Sequence, residues 1–439
     1  MKFKCKINIA TKVVVNFWKL RESEKYIMKI KNGLNKKMTA VVLGLALGLP
    51  GVAGAEGFGL TEFTPEGVAM GGARMFAEND PGNLAYNPAA ITKVEGTAVK
   101  VNASYISPHV KYKSDIKEVY RPLYGGKDAI SDHSRVHPAI APGFYYTRQA
   151  DSRHYYGLAT FARFGNMSEF YDNSVAASNN RFAKVSCLSI CPTYAVKADD
   201  KWSYALGLDV NMFKVEMQKD TALGHMQVKG EDWALGWNAA VDYKAGEHDE
   251  FAVVYRSKIK HSITGGDLRF GGNKSDAAAD ITLPDSYTFG YGHKFDDKNR
   301  LEVQAMRCNW HTFDKLTLNG AAIPGGGSST TYKNWQDNWR YAIGFEHKFS
   351  DKYTGMLGFA YDEDAIPYNG GDFMIPTGNR RTYSVGLRYN DKKQALAFTL
   401  GWMKLGSTSF AGQGLDKYSS AHTYKNYAKI ISVGYELHF

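Results

Sequence analysis

Trp202-Ser203-Tyr204-Ala205-Leu206-Gly207-Leu208-Asp209-Val210-Asn211-Met212 alternates without a break between bulky apolar residues and small or polar ones. Successive side chains of an extended strand point to opposite faces. One face of this strand is therefore apolar and the other small and wet. In a soluble sheet the apolar face meets a core. In a transmembrane barrel it meets lipid, and the small polar face lines the lumen. The pattern recurs at Trp339, Tyr341, Ile343 and Phe345, at Tyr383, Val385, Leu387 and Tyr389, and at Leu396, Phe398, Leu400 and Trp402.

Fourteen segments read this way: 97–112, 136–149, 152–164, 181–198, 200–216, 226–245, 248–261, 279–295, 298–312, 338–349, 351–362, 379–390, 392–404 and 425–439. Six connections are tight polar turns: Ala150-Asp151, Asp199-Asp200, Gly246-Glu247, Asp296-Asp297, Ser350-Asp351 and Asp391-Lys392. The connections between them are long. Short periplasmic turns alternating with long outer loops are the asymmetry of outer-membrane barrels. The fold class expected is all-β: a transmembrane antiparallel barrel of about 14 strands, over residues 97–439. An even strand number puts both termini on the periplasmic side.

Composition agrees. Aromatic residues make up 13% of the chain, Gly is abundant at 44 and Pro sparse at 13. The formal charge of +10 is not a property of the barrel. Residues 1–55 hold 11 Lys/Arg and 2 Asp/Glu, and the remaining 43 basic and 42 acidic residues nearly cancel. Nucleic acid is thus not an expected partner. Residues 1–55 read as a presequence with a secretory signal. Lys29, Lys31, Lys36 and Lys37 form a charged region, Thr39 to Leu49 an apolar one, and Ala53-Gly54-Ala55 a small-residue cleavage site. Met28 is the more natural translation start.

Residues 56–96 lack the two-residue period and are rich in Gly and Ala. They are expected to form an N-terminal lumenal hatch, or plug. At the other end Tyr427, Ile431, Val433, Tyr435, Leu437 and Phe439 share one face. A terminal aromatic on the lipid face makes the outer-membrane barrel assembly machinery an expected partner through Phe439, with outer-membrane lipid around the wall. Cys187 and Cys191 lie four residues apart on one strand, too far for a disulfide. With Cys308 they are too few for a metal site. No metal and no cofactor is expected.

Gly57-Phe58-Gly59-Leu60-Thr61-Glu62-Phe63, Gly67, Gly71-Gly72 and Asn87-Pro88-Ala89-Ala90-Ile91-Thr92 resemble the start of the FadL-type outer-membrane transporters of long-chain fatty acids and aromatic hydrocarbons. The resemblance continues through Leu283-Pro284-Asp285, Asn309-Trp310, Asn334-Trp335 and Ile375-Pro376. It implies a fourteen-strand barrel with an N-terminal hatch, located in the outer membrane of a diderm bacterium and acting as a monomer. It further implies passive uptake of a hydrophobic small-molecule ligand. The ligand is captured among the outer loops, held above the hatch, and released sideways through a gap beside a kinked third strand.

Within that frame Phe58, Leu60, Phe63, Met70, Met75 and Phe76 either line an inner pocket or pack the plug against the wall. Pro88 restricts Asn87 to extended geometry, and Asn87 can close a side-chain turn. Asn87, Pro88 and Ala89 then fix the point where plug becomes strand, with or without a gating role. Gly165 marks either a bend or a mere loop entry, and the lateral opening that the resemblance implies is placed near Phe164 and Gly165. Arg163, Arg340, Lys348 and Arg388 are candidates for a substrate carboxylate, or for lumenal ion pairs with Glu346 and Glu436. The competing readings are a non-specific porin, a surface adhesin, and a barrel enzyme using Asp362, Glu363, Asp364 and His422. The reading taken is a channel and not an enzyme.

Overall fold

The computed structural model describes residues 57–391 and 393–439. The expected presequence lies outside the described residues. Fourteen strands form one closed antiparallel ring: β1 (Thr97–Ile116), β3 (Ala139–Gln149), β4 (His154–Glu169), β5 (Phe182–Lys197), β6 (Trp202–Thr221), β7 (Gly224–Lys244), β8 (Asp249–Arg256), β11 (Ser286–Lys294), β12 (Asn299–Cys308), β15 (Asn338–Lys348), β16 (Tyr353–Asp362), β17 (Gly378–Asp391), β18 (Gln394–Gly406) and β20 (Tyr418–His438). The last strand closes on the first, from Ala98↔His438 to Ile116↔Tyr418. Closure pairs backbone groups that no water could satisfy in lipid.

The ring is inside out relative to a soluble sheet. Leu206 on β6 is 62% exposed, whereas Asp209 on the same strand is 1% exposed. The alternation of 202–212 is therefore the alternation of lipid face and lumen. Cys187 and Cys191 are buried free thiols on β5.

Two sequence boundaries need correction. The expected strands 248–261 and 279–295 run together parts of different elements. Ring strands β8 and β11 stop at Arg256 and start at Ser286. Between them β9 (Ile259–Phe270) and β10 (Asn273–Leu283) form a hairpin that leaves the ring and pairs with the outer end of β7. Their side chains alternate as ring strands do, so pattern alone could not separate them. The remaining short strands, β2 (Ala129–His133), β13 (Lys315–Asn319), β14 (Ser328–Tyr332) and β19 (Ser409–Ala411), also belong to the long-loop end.

Residues 57–96 run inside the ring. Helix α1 (Pro65–Ala69) lies against β16, β17, β18 and β20, and helix α2 (Asn83–Tyr86) against β4. A 3-10 turn over Pro88–Lys93 touches β4 to β7. Lumenal glycines admit this segment. A Cβ on Gly358 would lie 2.1 Å from the Gly71 nitrogen, and one on Gly290 2.4 Å from the Met75 sulfur.

The tight turns are closed by their own side chains. Asp151 Oδ1 accepts from the Arg153 and His154 amides, Asp199 Oδ1 from Lys201 and Trp202, and Asp296 Oδ1 from Lys298 and Asn299. Backbone donors hold the Asp199 carboxyl below its ordinary range. A depressed carboxyl pKa adds stability above the unfolded value of about 3.9, and that stability is lost as pH falls through the folded value. The Lys201 and Trp202 amide chemical shifts should therefore hold their positions at neutral pH and move together only below about pH 4. Asp199→Ala should abolish that transition.

Candidate functional site

The chain enters the described region at Gly57-Phe58, and Phe58 is inserted into an aromatic cage. Its ring centroid lies 4.8 Å from Trp310, 5.8 Å from Trp335, 5.9 Å from Phe313 and 6.0 Å from Phe164. Trp310 and Trp335 are 5.0 Å apart in an edge-to-face pair, an arrangement that adds to simple burial. Val185, Phe213, Ile259, Leu283, Met374 and Ile375 extend the apolar surroundings. Among the described residues neither indole N–H, of Trp310 or of Trp335, has an acceptor. Arg380 reaches the same place: its Nη2 donates to the Gly57 carbonyl at 3.3 Å and to Thr377 Oγ1 at 3.0 Å. Nearby, burial pushes the Asp364 carboxyl up to about 6, with Arg380 pulling the other way.

Directly beside the cage the wall changes its pairing. The β3–β4 ladder ends at Gly143↔Phe161. Beyond it, Ala139 to Pro142 of β3 pair only with β1, while β4 continues along β5 across a register shift between Ala162 and Phe164. The vacated edge of β4 is taken by the N-terminal segment. Leu60 N donates to Arg163 O and Gly165 N to Phe58 O, both at 2.8 Å, making a single bridge Gly59↔Phe164. Residues 58–60 thus cover a seam that the ring strands leave open. Leu60 packs on its other side against Ile106, Ala139, Ala141, Met403 and Ile430.

The six apolar candidates disperse around the lumen. Phe58 alone of them joins the cage. Phe63 packs on Phe161 at 4.9 Å, Met70 on Met356, and Met75 and Phe76 among Leu84, Tyr86 and Val254. Asn87 is fully buried, and its Oδ1 accepts from the Ala89 amide at 3.1 Å. Its Nδ2 donates to Met75 O at 3.0 Å and to Asp242 on β7 at 2.7 Å. Pro88 and Ala89 open the 3-10 turn that leads into β1.

The basic candidates are not gathered at the cage. Arg163 pairs with Asp209 at 2.7 Å. Arg340 pairs with Asp362 at 2.8 Å and donates to Gly71 O. Arg388 joins an ionic cluster towards the tight-turn end, with Glu436 at 2.8 Å and Glu66 on α1. At its centre the Lys100 ammonium is 2.7 Å from Asp80, 2.9 Å from Glu66 and 3.2 Å from Glu436. Those three carboxylates are spaced to hold a cation, and the ammonium sits among them. Removing one partner from such a buried cluster leaves an uncompensated charge, at a cost of about 3–5 kcal/mol. Lys348 lines a polar hollow of about 530 Å³ at the tight-turn end, with Arg74, Glu78 and Asp296.

The residues of the enzyme reading are each engaged by other partners. Asp362 serves Arg340, Glu363 accepts from the Trp339 amide, and His422 bonds Ser409 Oγ at 2.8 Å. Sequence reasoning missed Arg380, which shares the lumenal register of Arg388 and was hidden by its nearness to a loop. It noted Trp310 and Trp335 without foreseeing that they meet.

The sequence family described as outer membrane protein transport protein (OMPP1/FadL/TodX) matches residues 47–439. A long-chain fatty acid transport protein of Salmonella typhi is 23% identical, over 78% of this chain and 86% of the relative. Outer membrane protein P1 of Haemophilus influenzae is 22% identical, over 80% and 86%. Among solved structures, a Pseudomonas aeruginosa FadL homologue shares the fold with a TM-score of 0.77 at 17% identity, covering 87% of this chain and 99% of that one. The Pseudomonas putida toluene transporter TodX does so with a TM-score of 0.66 at 15% identity, covering 88% and 100%.

The contact between Gly358 and Gly71 offers a test of the packing between segment 57–96 and the wall. Gly358→Ala would set a methyl against backbone that cannot yield, an overpacking cost of about 1–3 kcal/mol. We expect the ring to assemble and α1 to be displaced, seen as ion conductance across a planar bilayer above that of the unsubstituted protein.

Proposed function

The chain belongs to the outer membrane protein transport family, and from that footing we propose that it takes up small hydrophobic molecules through a plugged barrel with lateral release. Segment 57–96 is the plug. Its position across the ring speaks against an open, non-specific porin, and the engagement of Asp362 by Arg340, of Glu363 by the Trp339 amide and of His422 by Ser409 speaks against a barrel enzyme. That a single chain forms the whole path supports a monomer as the acting unit. Phe439, 59% exposed at the end of β20, is the feature offered to the assembly machinery.

The observation that carries this reading is the aromatic cage holding Phe58 immediately behind the open β3–β4 seam. Burying a Phe side chain is worth about 1.5–3 kcal/mol. A hydrophobic solute entering from the outer loops gains a similar amount by taking the same place. Its binding then displaces Phe58, and with it the Gly59↔Phe164 bridge that covers the seam. One event both loads the site and opens the exit. Apolar residues of the loop 363–377 connect the two ends of the route: Phe373 packs in an outer cluster with Tyr112, Phe170, Phe410 and Tyr418, and Met374 and Ile375 in the cage surroundings. Asn87, Pro88 and Ala89 hold the other end of the plug to Met75 and β7, and so set how far the displacement spreads.

Both fatty acids and neutral hydrocarbons fit an apolar cage. A carboxylate is read by Arg380 together with the Trp310 and Trp335 indole N–H groups, since charge-assisted bonds are the strong ones. Arg163, Arg340 and Arg388 anchor plug and wall through their carboxylate partners, and Lys348 serves the tight-turn hollow.

Two experiments test this. Gly59 and Phe164 form a non-hydrogen-bonded pair, whose Cα spacing of about 4.5 Å suits a disulfide. Gly59→Cys with Phe164→Cys should assemble normally, lose uptake when oxidised and regain it on reduction, with Phe164→Ala as the control. Uptake that survives the cross-link would overturn the lateral exit. Arg380→Gln should lower uptake of a long-chain fatty acid about tenfold, the loss of one charge-assisted bond of about 1.5 kcal/mol, and leave toluene uptake within twofold. Equal losses for both would remove Arg380 from carboxylate recognition.

A further inference from the structure

The outward face of β17, β18, β20 and β1 carries cations that the protein does not neutralise. One row runs straight across the ladder: Tyr341 opposes Tyr361, which opposes Arg381, then Lys404, Tyr427 and His109. One step nearer the membrane centre lie Phe359, Tyr383, Trp402 and Lys429, and one step further the wholly apolar Leu357, Val385, Leu400 and Ile431. Lys111 and Lys113 continue the charge towards the outer loops. Arg381, Lys404, Lys429, Lys111 and Lys113 are all exposed. The cations therefore stand at the boundary between hydrocarbon and water, on the long-loop side.

Two features separate this face from the rest of the rim. On the β6 to β10 side most of the exposed cations have carboxylate partners, Lys214 with Glu231 at 3.0 Å, Lys229 with Glu216 at 3.1 Å and Lys260 with Asp280 at 3.2 Å, Lys258 being an exception among the described residues. Among the described residues Lys404, Lys429, Lys111 and Lys113 have none, and Arg381 meets only the Tyr361 ring, at 5.8 Å. Asp115, further out on β1, is held by Ser420 Oγ at 2.7 Å. Arg381 and Lys404 are direct cross-strand neighbours, a placement of like charges that costs stability. The second feature is a rigid platform beneath them. His109 stacks on Tyr427 at 4.5 Å and 17°, and Tyr427 on Trp402 at 4.6 Å and 13°.

An anion that bridges neighbouring cations turns this repulsion into binding, and cations beside hydrocarbon require either such a partner or full exposure of their heads to water. The ligand must itself lie at the boundary, anionic above and apolar below. We propose that this face binds the phosphate groups of an outer-leaflet glycolipid, with Arg381, Lys404 and Lys429 contacting phosphate and the Trp402–Tyr427 platform packing against the sugar and the acyl bases. The site is separate from the lumen and does not depend on which solute is transported. It rests only on the orientation that sets the long loops outside.

The test uses the mature protein in phosphatidylcholine nanodiscs doped with bisphosphorylated lipid A or with its dephosphorylated form, read by native mass spectrometry. The unsubstituted protein should retain the phosphorylated lipid selectively. Each cation removed from the set Arg381→Gln, Lys404→Gln and Lys429→Gln should weaken retention about fivefold, as expected for about 1 kcal/mol per charge at a membrane surface. Lys260→Gln on the paired side should leave retention unchanged. The single Lys404→Gln variant keeps the test usable should the triple variant not fold, and fatty acid uptake by the variants should match the parent. Equal retention of the two lipids, full displacement by free inorganic phosphate, or retention unaffected by the three substitutions would overturn the proposal.

Discussion

A backbone amide placed in hydrocarbon must find its hydrogen bond within the protein, and the whole molecule is arranged around that requirement. It forces the wall to be a sheet, forces the sheet to close, and makes any break in pairing expensive. The seam above Gly143↔Phe161 is such a break. It persists because Phe58, Gly59 and Leu60 approach from within and accept and supply the two bonds that β4 would otherwise lack. The strand that completes the wall is thus not a wall strand. It is the leading end of the plug, and the integrity of the seam is tied to the position of that end.

The second requirement is charge. Lys100, Arg388 and Arg74 sit in the lumen with Glu66, Asp80, Glu436 and Glu346. Lys100, Arg388, Glu436 and Glu346 belong to the ring and Glu66, Arg74 and Asp80 to the plug, so the attraction runs across the interface. Buried ion pairs are poor sources of net stability, but they are intolerant of separation. They hold the tight-turn end of the plug firmly. The cage end is held by apolar contact, one short bridge and the single hydrogen bond from Arg380 to the Gly57 carbonyl. A plug pinned at one end by charge and at the other by grease can move at the greasy end without coming loose.

The barrel was legible because alternation is a local property: residues 202–212 announce both faces of β6 without reference to any partner. The extra hairpin β9–β10 was not, because its residues alternate equally well and only its neighbours distinguish it from the ring. The ionic cluster was legible only in part. The pairing of Arg388 with Glu436 was among the expected alternatives, but no spacing in the sequence joins Glu66, Asp80 and Lys100 to it. The abundance of glycine looked like a general barrel trait. At Gly358 and Gly290 it is a clearance for the plug. Arg380 could have been found from its shared register with Arg388, but its bond to Gly57 beside Trp310 and Trp335 depends on how the long loops fold inward.

Phe58 occupies its cage as a tethered side chain, and tethering has a quantitative meaning. An occupant joined to its site by a short flexible link competes as though present at roughly millimolar concentration. On the proposed route a dissolved solute competes with that resident, so its apparent affinity is its intrinsic affinity reduced by the fraction of time the cage stands empty. The same residency hinders re-entry of a solute that has left, because its competitor never diffuses away. A carrier of greasy molecules faces the hazard of holding them indefinitely. An internal rival converts a strong hydrophobic trap into a site that empties.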